Sequence, residues 1–204
     1  MQKGKSKVQL VKHLKTCLSS LDAGACPSLV LVGHMGCGKS TLGRMLAQAL
    51  DMTFVDADDE IARAAGKSIT DIFQDHGEQE FRAGEERVLS RLMQSEAKII
   101  ATGGGAFVSP KTRAEIQRRG VSIWLNVGIS ELVERTAKRN HRPLLHNRDP
   151  FEVFRTLSRE RNPLYAQADI SVHIEASDHE ETFILLLRKI NDYLCRIYKK
   201  DLKC

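Results

Sequence analysis

A glycine-rich loop near the start of the chain has the residue types needed to hold nucleotide phosphates. Residues 33–40 read Gly-His-Met-Gly-Cys-Gly-Lys-Ser, which fits the pattern G-x-x-x-x-G-K-[S/T]. Glycines let backbone N–H groups surround a triphosphate, and the helix that follows adds partial positive charge. Lys39 would reach the β- and γ-phosphates and Ser40 would ligate Mg²⁺, whereas Cys37 is interpreted as a small filler. The loop therefore predicts a site for a nucleoside triphosphate.

Two carboxylates follow the second predicted strand and are placed to face this loop. Asp56 and Asp58 are separated by one residue, and residues i and i+2 of a strand point the same way. At the carboxyl end of a parallel sheet they would face the crevice where α/β ligands bind. One could hold Mg²⁺ through water, and the other could accept hydrogen bonds from a substrate hydroxyl. A helix cap at Asp58 is the alternative interpretation.

Further features suit an anionic substrate. Arg82 and Glu85 lie one helical turn apart, although a surface ion pair explains that spacing equally well. Gly103–Gly105, after the third predicted strand, would let a ligand touch the backbone, or would form a strained turn. Arg142 lies in a polar loop that could close over a transferring phosphate, or that is only a solvated charge run. Arg161 comes two residues before Pro163 in a helical segment, and this combination favours a binding site there.

Short apolar runs alternate with helical patterns about five times along the chain. The predicted strands are 28–32, 52–55, 98–102, 121–125 and 170–174. The predicted helices are 39–50, 59–65, 68–77, 78–94, 110–119, 130–139, 150–168 and one that begins at 177. This alternation predicts an α/β fold whose parallel sheet is covered by helices on both faces.

Composition and charge exclude several classes of protein. The chain has 204 residues, of which 42% are apolar and 28% charged, as in a globular protein rather than a disordered or fibrous one. Because no run of about 18 apolar residues occurs, a membrane span is excluded, and no secretory signal is recognised. The net charge of +5 favours a small anionic substrate over nucleic acid, since few aromatic residues are available for base stacking.

Cysteine and histidine spacing predicts no dedicated metal site. The five cysteines, Cys17, Cys26, Cys37, Cys195 and Cys204, never form a C-x-x-C pair, so neither structural zinc nor a disulfide framework is expected. The seven histidines show no ligand spacing and are interpreted as structural or surface residues. A reducing cytosol is the simplest location, and Mg²⁺ carried with the nucleotide is the one metal expected.

Six motifs, in order, resemble those of the shikimate kinase family, a nucleoside-monophosphate-kinase-like group of P-loop folds. Between residues 29 and 174 the motifs are G-H-M-G-C-G-K-S-T, D-A-D, F-R-A-G-E, G-G-G, R-P-L-L and R-N-P-L-Y. The resemblance implies a three-layer α/β/α fold with a five-stranded parallel sheet of order 2-3-1-4-5 and a mobile lid. It also implies transfer of the γ-phosphoryl group of ATP to the 3-hydroxyl of shikimate, a step of chorismate and aromatic amino-acid synthesis.

The resemblance further implies a role for each motif residue. Asp58 would act as the base, with Lys39 and Arg142 as the other catalytic residues, and Glu85 would orient Arg82. The implied ATP-binding residues are Gly36, Cys37, Gly38, Lys39, Ser40, Thr41, Arg135 (against adenine) and Arg142 (on the lid). The implied shikimate-binding residues are Asp58, Arg82, Glu85, Gly103, Gly104, Gly105 and Arg161. Mg²⁺ would be held by Ser40 and Asp56.

The chain divides into three predicted parts. Residues 1–28 form an extension with one amphipathic helix, residues 29–194 form the kinase-like domain with a lid at about 139–150, and residues 195–204 form a basic tail. We expect a cytoplasmic monomer that binds ATP, ADP and shikimate but neither nucleic acid nor membranes.

Three other functions remain open at this point. A kinase of another small acid, such as gluconate, would lack the paired context of Arg82 and Arg161. A non-catalytic nucleotide-binding module would have lost Lys39, Asp56, Asp58 or Arg142, and all four residues are present here. A nucleic-acid-binding protein would make several salt-sensitive phosphate contacts.

Overall fold

The structure is a computed structural model that describes residues 6–20, 26–137, 149–175 and 178–197. The strands are β1 (Ser28–Val32), β2 (Thr53–Asp56), β3 (Lys98–Ala101), β4 (Gly120–Val127) and β5 (Ile170–Ile174). The helices are α1 (Lys7–Ser19), α2 (Lys39–Leu50), α3 (Ala57–Ala65), α4 (Ile69–Met93), α5 (Pro110–Arg119), α6 (Ile129–Ala137), α7 (Pro150–Tyr165) and α8 (His179–Ile197). A short 3₁₀ helix, Ala106–Val108, follows β3.

The five strands form one parallel sheet of order β2-β3-β1-β4-β5. Its register pairs Leu31 of β1 with Ala101 of β3, and Ala101 in turn with Asp56 of β2. The carboxyl ends of these three strands therefore lie side by side. The predicted fold class and strand order are confirmed.

The central strand β1 is buried on both faces. Leu29 and Leu31 pack in a cluster with α1, α2 and α8, whereas Val30 and Val32 pack in a second cluster with α4 and α5. All four side chains are completely inaccessible to solvent. Because successive strand residues point to opposite faces, an unbroken apolar run is what a sheet covered on both sides requires.

Most helix ends follow local sequence signals, although several of the predicted bounds need correction. Gly77, at φ 77° and ψ 175°, interrupts α4, so the two segments predicted on either side of it meet at a kink. The predicted start of α3 at residue 59 was wrong: Asp56 accepts a hydrogen bond from the Asp58 N–H at 3.2 Å, and the helix begins at Ala57. Ser130, predicted as the cap of α6, lies inside that helix, which begins at Ile129, and α7 ends at Tyr165 rather than at about 168.

Helix α1 packs on the face of the sheet that α2 and α8 cover. Leu10, Leu14 and Leu18 are its main buried residues, and they belong to the same apolar cluster as Phe183 of α8. Helix α8 continues to Ile197. Among the described helices, none combines the length and apolar character that crossing a bilayer requires.

Gly43 of α2 is a position where we expect a single methyl group to destabilise the fold. A Cβ there would lie 2.5 Å from Cε2 of Phe54 and 3.2 Å from Cδ1 of Leu31. Such overpacking costs about 1–3 kcal/mol, so Gly43→Ala should lower the free energy of unfolding, measured by urea denaturation followed by circular dichroism. Gly84→Ala in α4 is the matched control.

A Cβ on Gly84 would meet only the Arg87 side chain, at 3.9 Å. The control should therefore be neutral or stabilising by about 0.4–1 kcal/mol, because alanine restricts the unfolded chain. Equal effects of the two substitutions would contradict the close packing of α2 on β2.

Candidate active site

The carboxyl ends of the central strands open into a cleft of about 650 Å³. The loop after β1, the first turn after β2 and the segment after β3 all reach it. This edge is where ligands of open α/β sheets bind. The predicted site residues that line the cleft are Gly36, Gly38, Lys39, Ser40, Thr41, Asp56, Asp58, Gly104 and Arg135.

The P-loop, residues 33–40, wraps around the side chain of Lys39. Its Nζ donates hydrogen bonds to the carbonyl oxygens of Gly33 and His34, both at 2.9 Å, and the side chain is nearly buried. Gly36 and Gly38 have φ values of 81° and 97°, a region that residues with a Cβ rarely adopt. Because α2 begins directly after Gly38, the Lys39 ammonium group and a helix N-terminus lie side by side, and both attract phosphate.

Ser40 and Asp56 form the oxygen-rich side of the cleft. Ser40 Oγ donates a hydrogen bond of 2.6 Å to Asp56 Oδ2, so the hydroxyl of the P-loop meets the carboxylate at the end of β2. Mg²⁺ prefers oxygen ligands and is usually bound through one or two carboxylates and substrate phosphates. The donor set of these two residues therefore fits that ion.

Asp58 reaches the cleft from a helix rather than from a strand. Strand β2 ends at Asp56, and Asp58 is the second residue of α3. The expectation that both carboxylates lie on one strand was wrong, as was the alternative of a cap at Asp58, because Asp56 caps α3. The turn of the helix still brings both side chains to the cleft.

The pKa of Asp58 is raised, first because burial disfavours the charged form and second because the neighbouring Asp56 repels it. Lys39 and Arg82 act in the opposite direction. A carboxylate with a raised pKa is a stronger proton acceptor than an ordinary surface aspartate, which suits a general base.

The turn at Gly103–Gly105 is the point where groups from four segments meet. A Cβ on Gly103 would lie 2.6 Å from Glu85 Oε1 and 2.7 Å from Asp58 Oδ1, and one on Gly105 would lie 2.5 Å from Cζ of Arg82. At Gly104 the nearest atoms belong to the P-loop and to Arg161. A Cβ on Gly103 or Gly105 would overlap these side chains, and one on Gly104 would lie 3.3 Å from the Met35 backbone nitrogen, so the glycines let acid, guanidinium and P-loop approach one backbone turn.

Arg82 and Glu85 of α4 form an ion pair beside this turn. Arg82 Nη1 donates to Glu85 Oε2 at 2.7 Å, and Nη2 donates to Glu78 Oε1 at 3.2 Å. Glu85 is 2% exposed, and burial raises its pKa although Arg82 opposes that shift. Because Arg82 remains 30% exposed, Glu85 holds a guanidinium whose outer side can still receive an anion.

Arg161 approaches the same turn from α7. Its Nη1 donates to the carbonyl oxygen of Gly104 at 3.1 Å, and the hydroxyl of Tyr165 donates to that oxygen as well. Burial raises the pKa of Tyr165 to about 12, so this hydroxyl keeps its proton at neutral pH. Arg82 and Arg161 therefore reach the glycine turn from two different helices.

His34 ties the P-loop to α7, a link that sequence reasoning missed. Its Nε2 lies 2.8 Å from Asn162 Oδ1, which assigns a donating N–H to that nitrogen. Burial lowers the pKa of His34 to about 4, so the imidazole is neutral at neutral pH. Asn162, which follows Arg161 in α7, thus holds the P-loop in place. No local sequence pattern indicates this contact, because 128 residues separate His34 from Asn162.

Sequence comparison decides which family builds such a site. A family profile described as shikimate kinase matches residues 35–191. The chain belongs to the shikimate kinase family. The family resemblance predicted from the six motifs is confirmed.

Individual shikimate kinases are similar to this chain over most of its length. One from Novosphingobium aromaticivorans is 48% identical over 170 residues, covering 81% of this chain and 88% of the relative. One from Bartonella henselae is 38% identical over 187 residues, covering 92% and 88%. A structure described as shikimate kinase from Acinetobacter baumannii in complex with shikimate has a TM-score of 0.76 and 36% identity, covering 90% of this chain and 99% of that chain.

Three predicted site residues remain to be placed, namely Arg135, Cys37 and Arg142. Arg135 Nη1 is 4.0 Å from where a Cβ of Gly38 would be, and Glu131 holds the Arg135 side chain at 2.7 Å. Cys37, within the P-loop, is buried, which agrees with its interpretation as a filler. Arg142 and most of the predicted lid lie outside the described residues.

Several residues of the cleft were not predicted. They are Met35, Arg44, Asp59, Thr102, Glu131, Glu134 and His179. Helical spacing could have indicated two of them. Arg44 lies four residues after Ser40 on α2, and Glu131 lies four residues before Arg135 on α6. Nothing local indicates His179, which reaches the cleft from the start of α8.

Proposed function

We propose that this chain transfers the γ-phosphoryl group of ATP to the 3-hydroxyl of shikimate in the cleft at the carboxyl edge of the sheet. The observation that carries the proposal is the meeting of Asp58, Arg82 and Arg161 at the turn Gly103–Gly105, beside the P-loop. A phosphate loop alone suits many nucleotide enzymes, whereas a base and two guanidinium groups around one glycine turn suit a small hydroxy acid.

The P-loop is the ATP side of the proposed site. Lys39 and the first turn of α2 bind the phosphates, and Arg135 lies over Gly38 on the same side. Ser40 and Asp56 would hold the divalent cation that accompanies ATP. When bound, Mg²⁺ neutralises charge on the phosphates.

The glycine turn is the shikimate side of the proposed site. The substrate carboxylate would accept paired hydrogen bonds from Arg82 and Arg161, whose planar guanidinium groups match a carboxylate. Glu85 would keep Arg82 beside the glycine turn through the 2.7 Å hydrogen bond. This paired recognition favours a carboxylate acceptor over a nucleoside monophosphate, and membership of the shikimate kinase family favours shikimate over gluconate.

Asp58 lies beside Gly103 and lines the same cleft as Lys39 and Ser40, so it would orient the attacking hydroxyl. As the 3-hydroxyl oxygen forms its bond to the γ-phosphorus, the bond to the bridging oxygen breaks and ADP leaves with that electron pair. Asp58 accepts the proton of the hydroxyl. Catalysis of this reaction class consists mainly of positioning and charge neutralisation, and the contacts of Asp58, Lys39 and Arg82 supply both.

We further propose that the enzyme acts as a monomer in the cytoplasm. The groups that meet at the glycine turn all come from one chain, so no second subunit is needed to complete this part of the site. The four cysteines of the described residues form no disulfide with one another, which suits a reducing compartment.

A coupled assay of ADP formation tests the proposed reaction. Purified protein with Mg·ATP should release ADP only when shikimate is added, and far more slowly with gluconate or nucleoside monophosphates. Mass spectrometry of the product should show one phosphoryl group added to shikimate. Equal turnover with gluconate, or ADP release without an acceptor, would contradict the assignment.

A further inference from the structure

A cluster of three metal-ligating side chains lies between α1 and α8, apart from the active-site cleft. His13 and Cys17 are one turn apart on α1, and Cys195 lies near the end of α8. One ligand atom from each of the three residues lies within 4.8 Å of the other two. None of the three lines the cleft described above. Sequence spacing alone predicted no such cluster, because Cys195 is 182 residues from His13.

We propose that these three side chains bind one zinc-type cation that joins the first described helix to the last. The His13 Nε2 atom lies 3.5 Å from Cys195 Sγ and 3.6 Å from Cys17 Sγ. In a tetrahedral zinc site, with Zn–S near 2.3 Å and Zn–N near 2.0–2.1 Å, neighbouring sulfur and nitrogen ligands are about 3.6 Å apart. The two nitrogen–sulfur distances therefore need little change to accept the ion, and the two sulfur atoms lie within 4.8 Å of each other.

The chemistry of the donors selects the class of metal. Two thiolates and one neutral imidazole suit Zn²⁺ or a similar soft or borderline ion, whereas Mg²⁺ and Ca²⁺ prefer oxygen. Two thiolates also balance the charge of a dication. A water molecule would be the fourth ligand, since His13 and Cys195 are only partly buried while Cys17 is 3% exposed.

The position of the cluster gives the ion a structural role. Leu10, Leu14 and Leu18 already pack α1 against the apolar cluster that contains Phe183 and Leu194 of α8. A bridge between the two helices closes a loop of nearly the whole chain, and constraining a long loop lowers the entropy of the unfolded state. Bound metal should therefore stabilise the folded chain and hold α1 on α8.

Metal uptake by the full-length, tag-free chain tests the site. The protein is reduced, freed of metal and of nucleotide, and titrated anaerobically with Co²⁺ as a spectroscopic substitute for Zn²⁺. One equivalent should produce a sulfur-to-cobalt charge-transfer band and the strong visible bands of tetrahedral Co²⁺. Zn²⁺ should displace the cobalt and raise Tm in thermal unfolding.

Two ligand variants and one matched cysteine variant make the test specific. Cys195→Ser and His13→Gln change the partly buried ligands, and each should weaken Co²⁺ binding at least about tenfold and remove the effect of Zn²⁺ on Tm. Cys26→Ser, a partly buried cysteine outside the cluster, should behave as the parent does. Unchanged far-ultraviolet circular dichroism and kinase activity show that each variant is folded.

Three results would overturn the proposal. The first is no stoichiometric Co²⁺ uptake by the reduced parent protein, which would leave only a thiol–imidazole hydrogen-bonded cluster. The second is equal uptake by the parent and by both ligand variants. The third is a Cys17–Cys195 disulfide in the purified protein together with no metal uptake after reduction.

Discussion

Replacing Asp58 with asparagine is expected to lower kcat for shikimate phosphorylation at least about 10²-fold, which is the range of a general base. Asparagine keeps the size of the side chain but cannot accept the proton of the attacking hydroxyl. Because Lys39 and the P-loop are untouched, the KM for ATP should change little. Steady-state ADP release at varied ATP and shikimate measures both constants.

Folding stability separates this loss of chemistry from a loss of structure. The pKa of Asp58 is raised in the folded chain, so the folded state holds this proton to a higher pH than the unfolded state does. The stabilisation from the bound proton is fully present below the unfolded pKa and is lost as pH rises through the folded pKa. At neutral pH, Asp58→Asn should therefore increase the free energy of unfolding, and the gain should vanish in acid.

Asp59→Asn is the matched control for charge. Asp59 is the next residue of α3 and is exposed, so the variant removes the same formal charge without removing the proposed base. Its kcat should stay within a fewfold of the parent value. A similar loss in both variants would show that the charge of the cleft, rather than proton transfer by Asp58, sets the rate.

The fold could be predicted from the sequence because the patterns that specify its strands and turns are local or periodic. The run Leu29–Val32 has no polar residue, so both faces of β1 had to be covered. Gly36 and Gly38 of the P-loop have positive φ values, and a Cβ on Gly103 or Gly105 would lie within 2.7 Å of neighbouring side-chain atoms. These features predict the sheet edge and most of the residues that meet there.

Other features depended on contacts that no local pattern encodes. Asp58 was expected on a strand, but the cap at Asp56 begins α3 two residues earlier than its apolar pattern indicates. His34 contacts Asn162 across 128 residues. The approach of Cys195 to His13 likewise depends on how α1 packs against α8, and helix packing is a property of the assembled core.

Loss of a residue that would bind the substrate carboxylate is the second change for which we expect a large effect on catalysis. Arg161→Ala removes one of the two guanidinium groups at the glycine turn. The Gly104 carbonyl oxygen still accepts the Tyr165 hydroxyl in the variant, so the turn should persist. A hydrogen bond to a charged group contributes about 1.5–3 kcal/mol, which corresponds to a roughly 10- to 150-fold rise in the KM for shikimate at about 1.4 kcal/mol per tenfold. The KM for ATP should change little.

Arg159→Ala is the matched control, because Arg159 is exposed on the same helix two residues away, and it should leave the KM for shikimate unchanged. The decisive measurement varies the substrate as well as the enzyme. With the methyl ester of shikimate, the parent enzyme should lose most of the advantage that Arg161 gives, since the ester carries no charge for the guanidinium to bind. Arg161→Ala should then cost much less with the ester than with shikimate. An equal cost with both substrates would place Arg161 in the support of the turn rather than in contact with the carboxylate.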